Sequence, residues 1–259
     1  MTEPLSLTVD DGLARITLNR PQRMNAFDDA MARAWARATA EATTRDDIGA
    51  ILLDAEGSHF CAGGDVHAMA SGTTGAGITA LAHVINSGIR ALAESSIPVV
   101  VAAQGTTAGG GLGILLSGDY AVIGENSRIG SLYANIGLTP DLSVSAQLAR
   151  AVGERRALQL VLQDRMLTAQ EALAWGLVAE VVPADEVRTR AEEVARFWLA
   201  GAARAYGQAK RLVRDSPTRS FADQLTEEAR SIGAALDTPE AQARVAAFAA
   251  AAAARKEKR

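Results

Sequence analysis

The sequence predicts an α/β fold in which strands and helices alternate and a region of helices alone follows. Over the first three quarters of the chain, short β-branched and apolar runs alternate with segments of helical periodicity, which is typical of a parallel sheet covered by helices. Ile97–Gly113 has the most pronounced pattern, a buried strand followed by a glycine-rich turn and a helix. From Ala184 onward only helical spacing remains, divided by Pro217 and Pro239. With 259 residues and 48% apolar content, the chain is long enough to bury one large core.

Net charge, cysteine content and hydropathy disfavour nucleic-acid-binding, disulfide-linked and membrane-bound classes of protein. The formal net charge is −4, which disfavours nucleic acid as a partner. Cys61 is the only cysteine, so no disulfide forms within the chain and a cytoplasmic location is expected. The start of the sequence lacks the basic and apolar regions of a secretory leader. The uncharged stretch Ser95–Gly118 contains Pro98 and many glycines, so we expect a buried segment and no membrane partner.

The first part of the chain predicts a hairpin, a helix and a buried strand. Leu5–Val9 and Ala14–Leu18 alternate in polarity on either side of Asp10–Gly12, and Asp-Gly favours a tight turn. Phe27–Thr43 has helical spacing, with aspartates in its first turn that suit the helix dipole. Ala50–Leu53 is apolar throughout, which predicts a fully buried strand.

The segments around the glycine-rich stretch follow the same alternation. Phe60–Val66 predicts a second strand that runs into a turn of small residues, and Ser71–Gly77 predicts a mobile connection. Ile78–Glu94 predicts a helix. Arg128–Gly137 fits neither pattern. The other predicted elements are a strand at Tyr120–Ile123, helices at Asp141–Arg150, Glu154–Leu162 and Thr168–Trp175 (the last begun by a capping box), a strand at Ala179–Val182, and a frayed end at Arg255–Arg259.

The glycine-rich turns suit backbone chemistry better than two common alternatives. Neither a dinucleotide motif nor a P-loop is present, because Gly111 and Gly113 are followed by Leu116 and no Gly-Lys-Ser/Thr occurs. A nucleophilic Cys61 would need a histidine in contact, and a small buried residue is the favoured interpretation.

An oxyanion hole is the third possibility for these turns. If the strands that precede Ala62 and Gly110 are neighbours, both turns lie at one edge of the sheet and their N–H groups can converge on one oxygen.

Five short motifs, in order along the chain, resemble the enoyl-CoA hydratase/isomerase (crotonase) family. They are Asn19–Pro21 with Asn25–Ala26, Phe60–Val66, Pro98–Gly113, Gly137–Pro140 and Leu173–Val178. The resemblance implies a crotonase-like spiral of ββα units in residues 1–200, which carries an acyl-CoA site. It also implies a helical C-terminal region, residues 201–259, that supports homotrimers or hexamers built as dimers of trimers. Coenzyme A arrives as part of the thioester substrate, and no separate cofactor or metal is expected.

The resemblance also implies roles for residues of these motifs. The N–H groups of Ala62 and Gly110 would hold the thioester oxygen, which becomes enolate-like in the transition state. The predicted substrate contacts are Arg23, Ala26, Gly63, Asp65, Gly109 and Tyr133. Arg23 would meet the CoA phosphates or adenine, with a plain surface arginine as the alternative. For Asp65 the favoured alternative is a cap of the following helix.

The chain departs from the hydratase pattern where that pattern carries its two catalytic glutamates. The corresponding residues are Gly113, which has no side chain, and Tyr133, whose phenol is a weak base at neutral pH. Hydration needs a water that is held and activated while a proton reaches the α carbon. A site without both glutamates is poorly suited to that reaction, so the sequence disfavours a hydratase.

Asp141 offers a different route. It follows Pro140, as a catalytic aspartate does in the isomerase-like branch associated with phenylacetate breakdown. One carboxylate can move a proton between the α and γ carbons of an enoyl thioester, and an apolar pocket would raise its pKa toward the working range. The alternative for Asp141 is an ordinary helix N-cap. We therefore predict double-bond isomerisation, with a hydratase-like lyase that uses non-standard groups, or a catalytically silent acyl-CoA-binding protein, as alternatives.

Overall fold

The strands are short and spread over the first 182 residues. A computed structural model describes residues 3–163 and 165–257. Its strands are β1 (Leu5–Asp10), β2 (Leu13–Leu18), β3 (Ala50–Ala55), β4 (Val99–Ala103), β5 (Thr106–Ala108), β6 (Tyr120–Gly124), β7 (Arg128–Gly130), β8 (Met166–Thr168) and β9 (Glu180–Val182).

Helices cover the sheet and make up the C-terminal region. They are α1 (Asp29–Thr44), α2 (Val66–Ala70), α3 (Gly75–Glu94), α4 (Gly110–Leu116), α5 (Val144–Val152), α6 (Glu154–Leu162), α7 (Ala169–Ala174), α8 (Val187–Ala200), α9 (Ala203–Asp215), α10 (Phe221–Leu236) and α11 (Pro239–Glu257). None of these helices is both long enough and apolar enough to cross a membrane, in the described part of the chain.

Two sheets form the framework. The larger has the order β1-β2-β3-β4-β6-β9, and the smaller has the order β5-β7-β8. β1 and β2 form the predicted antiparallel hairpin, and every other pairing in the larger sheet is parallel. The prediction of an α/β fold with a parallel sheet is confirmed, and it places the carboxyl ends of neighbouring strands at one edge.

The apolar runs of β3 and β4 are explained by helices on both faces of the sheet. Leu53 and Val101 belong to a large core with Trp35 of α1, while Leu52 and Val100 pack against α8. Parallel strands covered on both faces read as continuous apolar runs instead of alternating ones.

Several predicted boundaries are wrong for local reasons. The predicted strand at Phe60–Val66 is reduced to two isolated bridges, at Cys61 and Gly64, and Val66 already begins α2. α5 begins at Val144, three residues after the predicted start, because Leu142 and Ser143 have left-handed φ angles of 47° and 68°. β5, β7 and β8 were not predicted, since three-residue strands carry almost no periodicity.

Two connecting segments also differ in detail from the predictions. Within the predicted mobile connection Ser71–Gly77, the last three residues already form the first turn of α3, which Thr74 caps. The unassigned stretch Arg128–Gly137 contains β7 and a 3-10 turn at Ala134–Ile136.

The helical C-terminal region is confirmed by α8 to α11, which follow the last strand. α8 ends at Ala200, and the division of the chain into residues 1–200 and 201–259 stays a prediction. α9 is joined to the core by the buried Lys210, whose ammonium donates to the carbonyl oxygens of Leu92 and Ile97, both at 2.7 Å. At the predicted frayed end, α11 continues through Glu257, and residues 258 and 259 lie outside the described part.

Candidate active site

The two glycine turns lie side by side, as the oxyanion-hole hypothesis requires. The segment before the first turn pairs in parallel with β5: the Cys61 N–H donates to the Thr106 carbonyl at 3.2 Å, and the Ala108 N–H donates to the Cys61 carbonyl at 3.0 Å. Gly63 has a φ of 98°, and a Cβ there would lie 2.9 Å from the Gly110 nitrogen. Only glycine permits this approach of the two backbones.

The prediction that Ala62 supplies one donor is wrong. Its N–H already donates to the Met24 carbonyl at 3.0 Å. That bond fixes the start of the turn to the Asn25–Ala26 motif, so the Ala62 amide has a structural use.

Gly64 carries the free N–H of the first turn instead. The Gly63 carbonyl accepts from the Phe27 N–H at 2.8 Å, and the Asp65 N–H donates to the Phe27 carbonyl at 2.9 Å. Because neighbouring residues of an extended segment point their amides to opposite sides, the Gly64 N–H faces away from Phe27. Within the described residues, neither Gly64 nor Gly110 donates its N–H to another group of the chain. Within this turn the N–H without an acceptor is therefore that of Gly64 and not that of Ala62, and its use as an oxyanion donor stays a prediction.

Asp141 lies beside these turns in a buried contact with Tyr133. The Tyr133 hydroxyl donates to Asp141 Oδ1 at 2.5 Å. Burial raises the pKa of the Asp141 carboxyl, while the hydrogen bond from Tyr133 lowers it and so opposes part of that effect. The interpretation of Asp141 as a helix N-cap is wrong, because Ser143 occupies that position and the Asp141 carboxyl is bound to the phenol.

The loop that follows Asp141 fills the space next to Gly113. A Cβ at residue 113 would lie 1.9 Å from the Leu142 carbonyl oxygen, and a Cβ at residue 110 would lie 2.6 Å from Leu142 Cδ1. Leu142 is 4% exposed and takes the left-handed conformation that non-glycine residues rarely adopt. Glycine at 113 is therefore required by the backbone of this loop, and Asp141 is the carboxyl group that the loop brings to the site.

The surroundings of Asp65 and Cys61 indicate structural roles for both side chains. Asp65 Oδ1 accepts from the N–H groups of His67 and Ala68, and Oδ2 pairs with Arg20 at 3.0 Å. This arrangement confirms the cap, and the role of Asp65 as a substrate contact stays a prediction. Burial raises the pKa of the Cys61 thiol to about 12, so the thiol is neutral and does not act as a nucleophile.

The other predicted substrate contacts line the same region without a decisive geometry. Arg23 is exposed, and its side chain donates no hydrogen bond within the described residues. Ala26 is buried beside the first turn. Gly109 precedes Gly110 and donates its N–H to the Gly130 carbonyl at 3.2 Å. Their roles as substrate contacts stay predictions.

Ser131 is a candidate that sequence reasoning missed. It is 1% exposed, and its Oγ has no hydrogen-bond partner within the described residues. It is adjacent to the glycine turn, since its carbonyl oxygen lies 3.8 Å from where a Gly109 Cβ would be. A buried hydroxyl without a partner is costly and therefore unusual. No motif could have indicated it, because the serine follows a three-residue strand of no recognisable pattern.

The fold and this site define a class of protein. Two backbone N–H groups without an acceptor among the described residues lie in adjacent turns, and one carboxyl group lies in a buried loop beside them. Proteins that stabilise a negatively charged oxygen while moving a proton use the same kinds of group. The sequence profile of the enoyl-CoA hydratase/isomerase family matches residues 8–256. The chain belongs to this family, and its architecture is the crotonase fold.

The chain is similar to family members that are named for different reactions. The 1,2-epoxyphenylacetyl-CoA isomerase of Escherichia coli K12 is 30% identical over 231 residues, 88% of each chain. A probable enoyl-CoA hydratase of Mycobacterium bovis is 31% identical over 246 residues, 95% of each chain. A Thermobifida fusca protein crystallised in complex with CoA has 27% identity and a TM-score of 0.83, with 90% of this chain and 93% of the other covered. These names share acyl-CoA chemistry but not one reaction.

Proposed function

We propose that this protein isomerises the double bond of an enoyl-CoA thioester, with Asp141 as the proton shuttle. The observation that carries the proposal is the path of the loop Asp141–Ser143. Its backbone excludes any side chain at Gly113 and brings one buried carboxyl group to the glycine turns. A site with one carboxyl group suits a reaction that moves one proton.

The free N–H groups of Gly64 and Gly110 would hold the thioester oxygen. As a proton leaves the α carbon, negative charge develops on that oxygen, and preorganised donors stabilise the dienolate. The Asp141 carboxylate accepts the α proton and returns it at the γ carbon, so the enzyme ends in its starting protonation state. Burial raises the pKa of Asp141, which makes the carboxyl a stronger base toward the α proton.

The comparisons support acyl-CoA as the substrate class and isomerisation as one chemistry of the family. One relative is named an isomerase that acts on a CoA thioester, and one structural neighbour was crystallised with CoA. Exposed Arg23 is available for the CoA phosphates. Another relative is named a probable enoyl-CoA hydratase. The alternative to be tested is therefore addition of water to the double bond, catalysed by groups other than the two glutamates of the hydratase pattern.

Product analysis tests the proposal directly. Purified protein is incubated separately with a 3-enoyl-CoA and a 2-enoyl-CoA, and the products are separated and weighed by mass spectrometry. We expect interconversion of the two compounds at unchanged mass. Gain of one water would show a hydratase. Binding of either thioester without conversion would show a silent acyl-CoA-binding protein.

The assignment of Gly64 makes a separate prediction. Gly64→Pro deletes the amide hydrogen, and loss of one oxyanion donor is expected to lower kcat by about a hundred- to a thousandfold. Gly64→Ala is the matched control, because it keeps the N–H and its Cβ would meet only the flexible end of Met69. Steady-state kinetics of both variants is the measurement. Equal losses in the two variants would exclude the N–H as the cause.

We also propose a homotrimer or hexamer. α10 places a stripe of large apolar side chains on the surface of the single chain, and none of its residues is buried. The stripe consists of Phe221, Leu225, Ile232 and Leu236. A patch of this kind is typical of a subunit contact. Sedimentation of the purified protein tests it.

A further inference from the structure

We propose that Tyr133 is a positioning residue for the proposed isomerisation: its hydroxyl holds one oxygen of Asp141 and keeps the carboxylate ionised for proton abstraction. The inference rests on the proposed function and assigns to Tyr133 a role other than substrate contact. Tyr133 stands where the hydratase pattern has a catalytic glutamate. At that position this chain has a side chain that binds the Asp141 carboxyl group.

The contact is close and enclosed. The Tyr133 hydroxyl lies 2.5 Å from Asp141 Oδ1 and 3.5 Å from the Asp141 carbonyl oxygen. Tyr133 is only 9% exposed, and no other side chain of the described residues forms a hydrogen bond with the Asp141 carboxylate. A phenol has a single hydrogen to donate, so it fixes Oδ1 and leaves Oδ2 uncommitted to any side chain.

No charged side chain of the described residues acts on this carboxyl group. The titratable groups that face the pair are the Tyr133 phenol itself and the Cys61 thiol, which acts on the phenol. Burial and the nearby carboxylate raise the pKa of Tyr133, and burial raises the pKa of Cys61 to about 12, so both stay neutral. α4, which packs against the Asp141 loop, contains only glycine, leucine and isoleucine. The hydrogen bond from Tyr133 is therefore the one side-chain interaction that offsets burial, beside a smaller contribution from the backbone of Asp141 itself.

The pH dependence follows from the sign of these effects. Proton abstraction needs the ionised carboxylate, so activity is lost as the pH falls through the pKa of Asp141. Burial raises this pKa and the Tyr133 hydrogen bond lowers it. Removal of the hydroxyl deletes the larger of the two effects that oppose burial and moves the acidic limb of the pH profile to higher pH.

The test is the pH profile of kcat/KM for Tyr133→Phe with the 3-enoyl-CoA substrate. We expect the acidic limb to move upward by about one pH unit, since a hydrogen bond to a buried charged group is worth roughly that much. Tyr120→Phe is the matched control, because the Tyr120 hydroxyl also donates to a carboxylate, that of Glu180, at 2.6 Å. Tyr120 lies at the start of β6, away from the glycine turns, and its variant should leave the limb in place.

A second measurement separates this inference from the proposed reaction. Carboxyl carbons of 13C-labelled aspartate are titrated by NMR without substrate, and the Asp141 signal is identified by its loss in Asp141→Asn. A higher midpoint in Tyr133→Phe supports the inference even if no isomerisation is found. An unchanged midpoint, or an unmoved acidic limb in an active enzyme, overturns it, because a purely structural tyrosine would lower stability or plateau activity alone.

Discussion

Replacement of Asp141 by asparagine is expected to lower isomerase turnover by about a hundred- to ten-thousandfold, the contribution of a positioned acid–base group. The amide has nearly the same shape as the carboxyl group, and its oxygen can still accept from Tyr133, which in the native protein donates to Oδ1 at 2.5 Å. What the amide lacks is the ability to carry a proton between two carbons. The loss should therefore fall on kcat, with little change in KM or thermal stability.

The measurement is steady-state kinetics with the 3-enoyl-CoA, together with calorimetric binding of CoA. Asp29→Asn serves as the control, because Asp29 is an exposed residue of α1 whose one ion-pair partner among the described residues is Arg33. It should retain native turnover. If Asp141→Asn turns over the same substrate at near-native rate, the carboxyl group is not the shuttle and the proposed mechanism fails.

Introduction of a side chain at Gly113 is the second large expected effect, and it concerns stability. Gly113→Ala places a Cβ 1.9 Å from the Leu142 carbonyl oxygen, a contact that no side-chain adjustment can relieve. The Asp141–Ser143 loop would have to move as a unit. We expect a loss of about 1–3 kcal/mol in the free energy of unfolding, or more, together with loss of activity.

The glycine at 233 provides the control for this substitution. Gly233 lies inside α10 and a Cβ there would meet nothing within 4 Å. Gly233→Ala should be neutral or stabilising by up to about 1 kcal/mol, because alanine is the better helix former. Denaturant unfolding of both variants is the measurement. A Gly113→Ala protein as stable as the native one would show that the loop is adaptable.

The same geometry bears on the hydratase alternative. Restoring a glutamate by Gly113→Glu would bring the same Cβ against the Leu142 backbone, so a single substitution should not create hydratase activity. The missing glutamate is tied to the path of the chain at Leu142 and Ser143. The absence of the glutamate therefore depends both on the glycine turn that contains Gly113 and on the Asp141–Ser143 loop that packs against it.

Local patterns were enough to predict the architecture. Alternating polarity identified β1 and β2, continuous apolar runs identified β3 and β4, and the capping box at Thr168 identified the start of α7. These signals depend on residues close together in sequence, so they can be read without the fold. The short strands β5, β7 and β8 lacked such a signal.

The candidate site was predicted only in part by the sequence. Motif order pointed to both glycine turns, to Asp141 as the remaining carboxyl group and to the absence of a side chain at Gly113. It could not show which amide of the first turn is free, because the partner of Ala62 is Met24, far away in the chain.

By itself, then, the sequence determined an α/β chain with glycine turns beside one available carboxyl group and a helical C-terminal region. Only the tertiary structure decided that Gly64 carries the free N–H, that Leu142 fills the space at Gly113, and that Tyr133 binds Asp141. The physical reason is that hydrogen-bond direction and steric exclusion depend on φ angles and on contacts between distant segments, which no local pattern encodes.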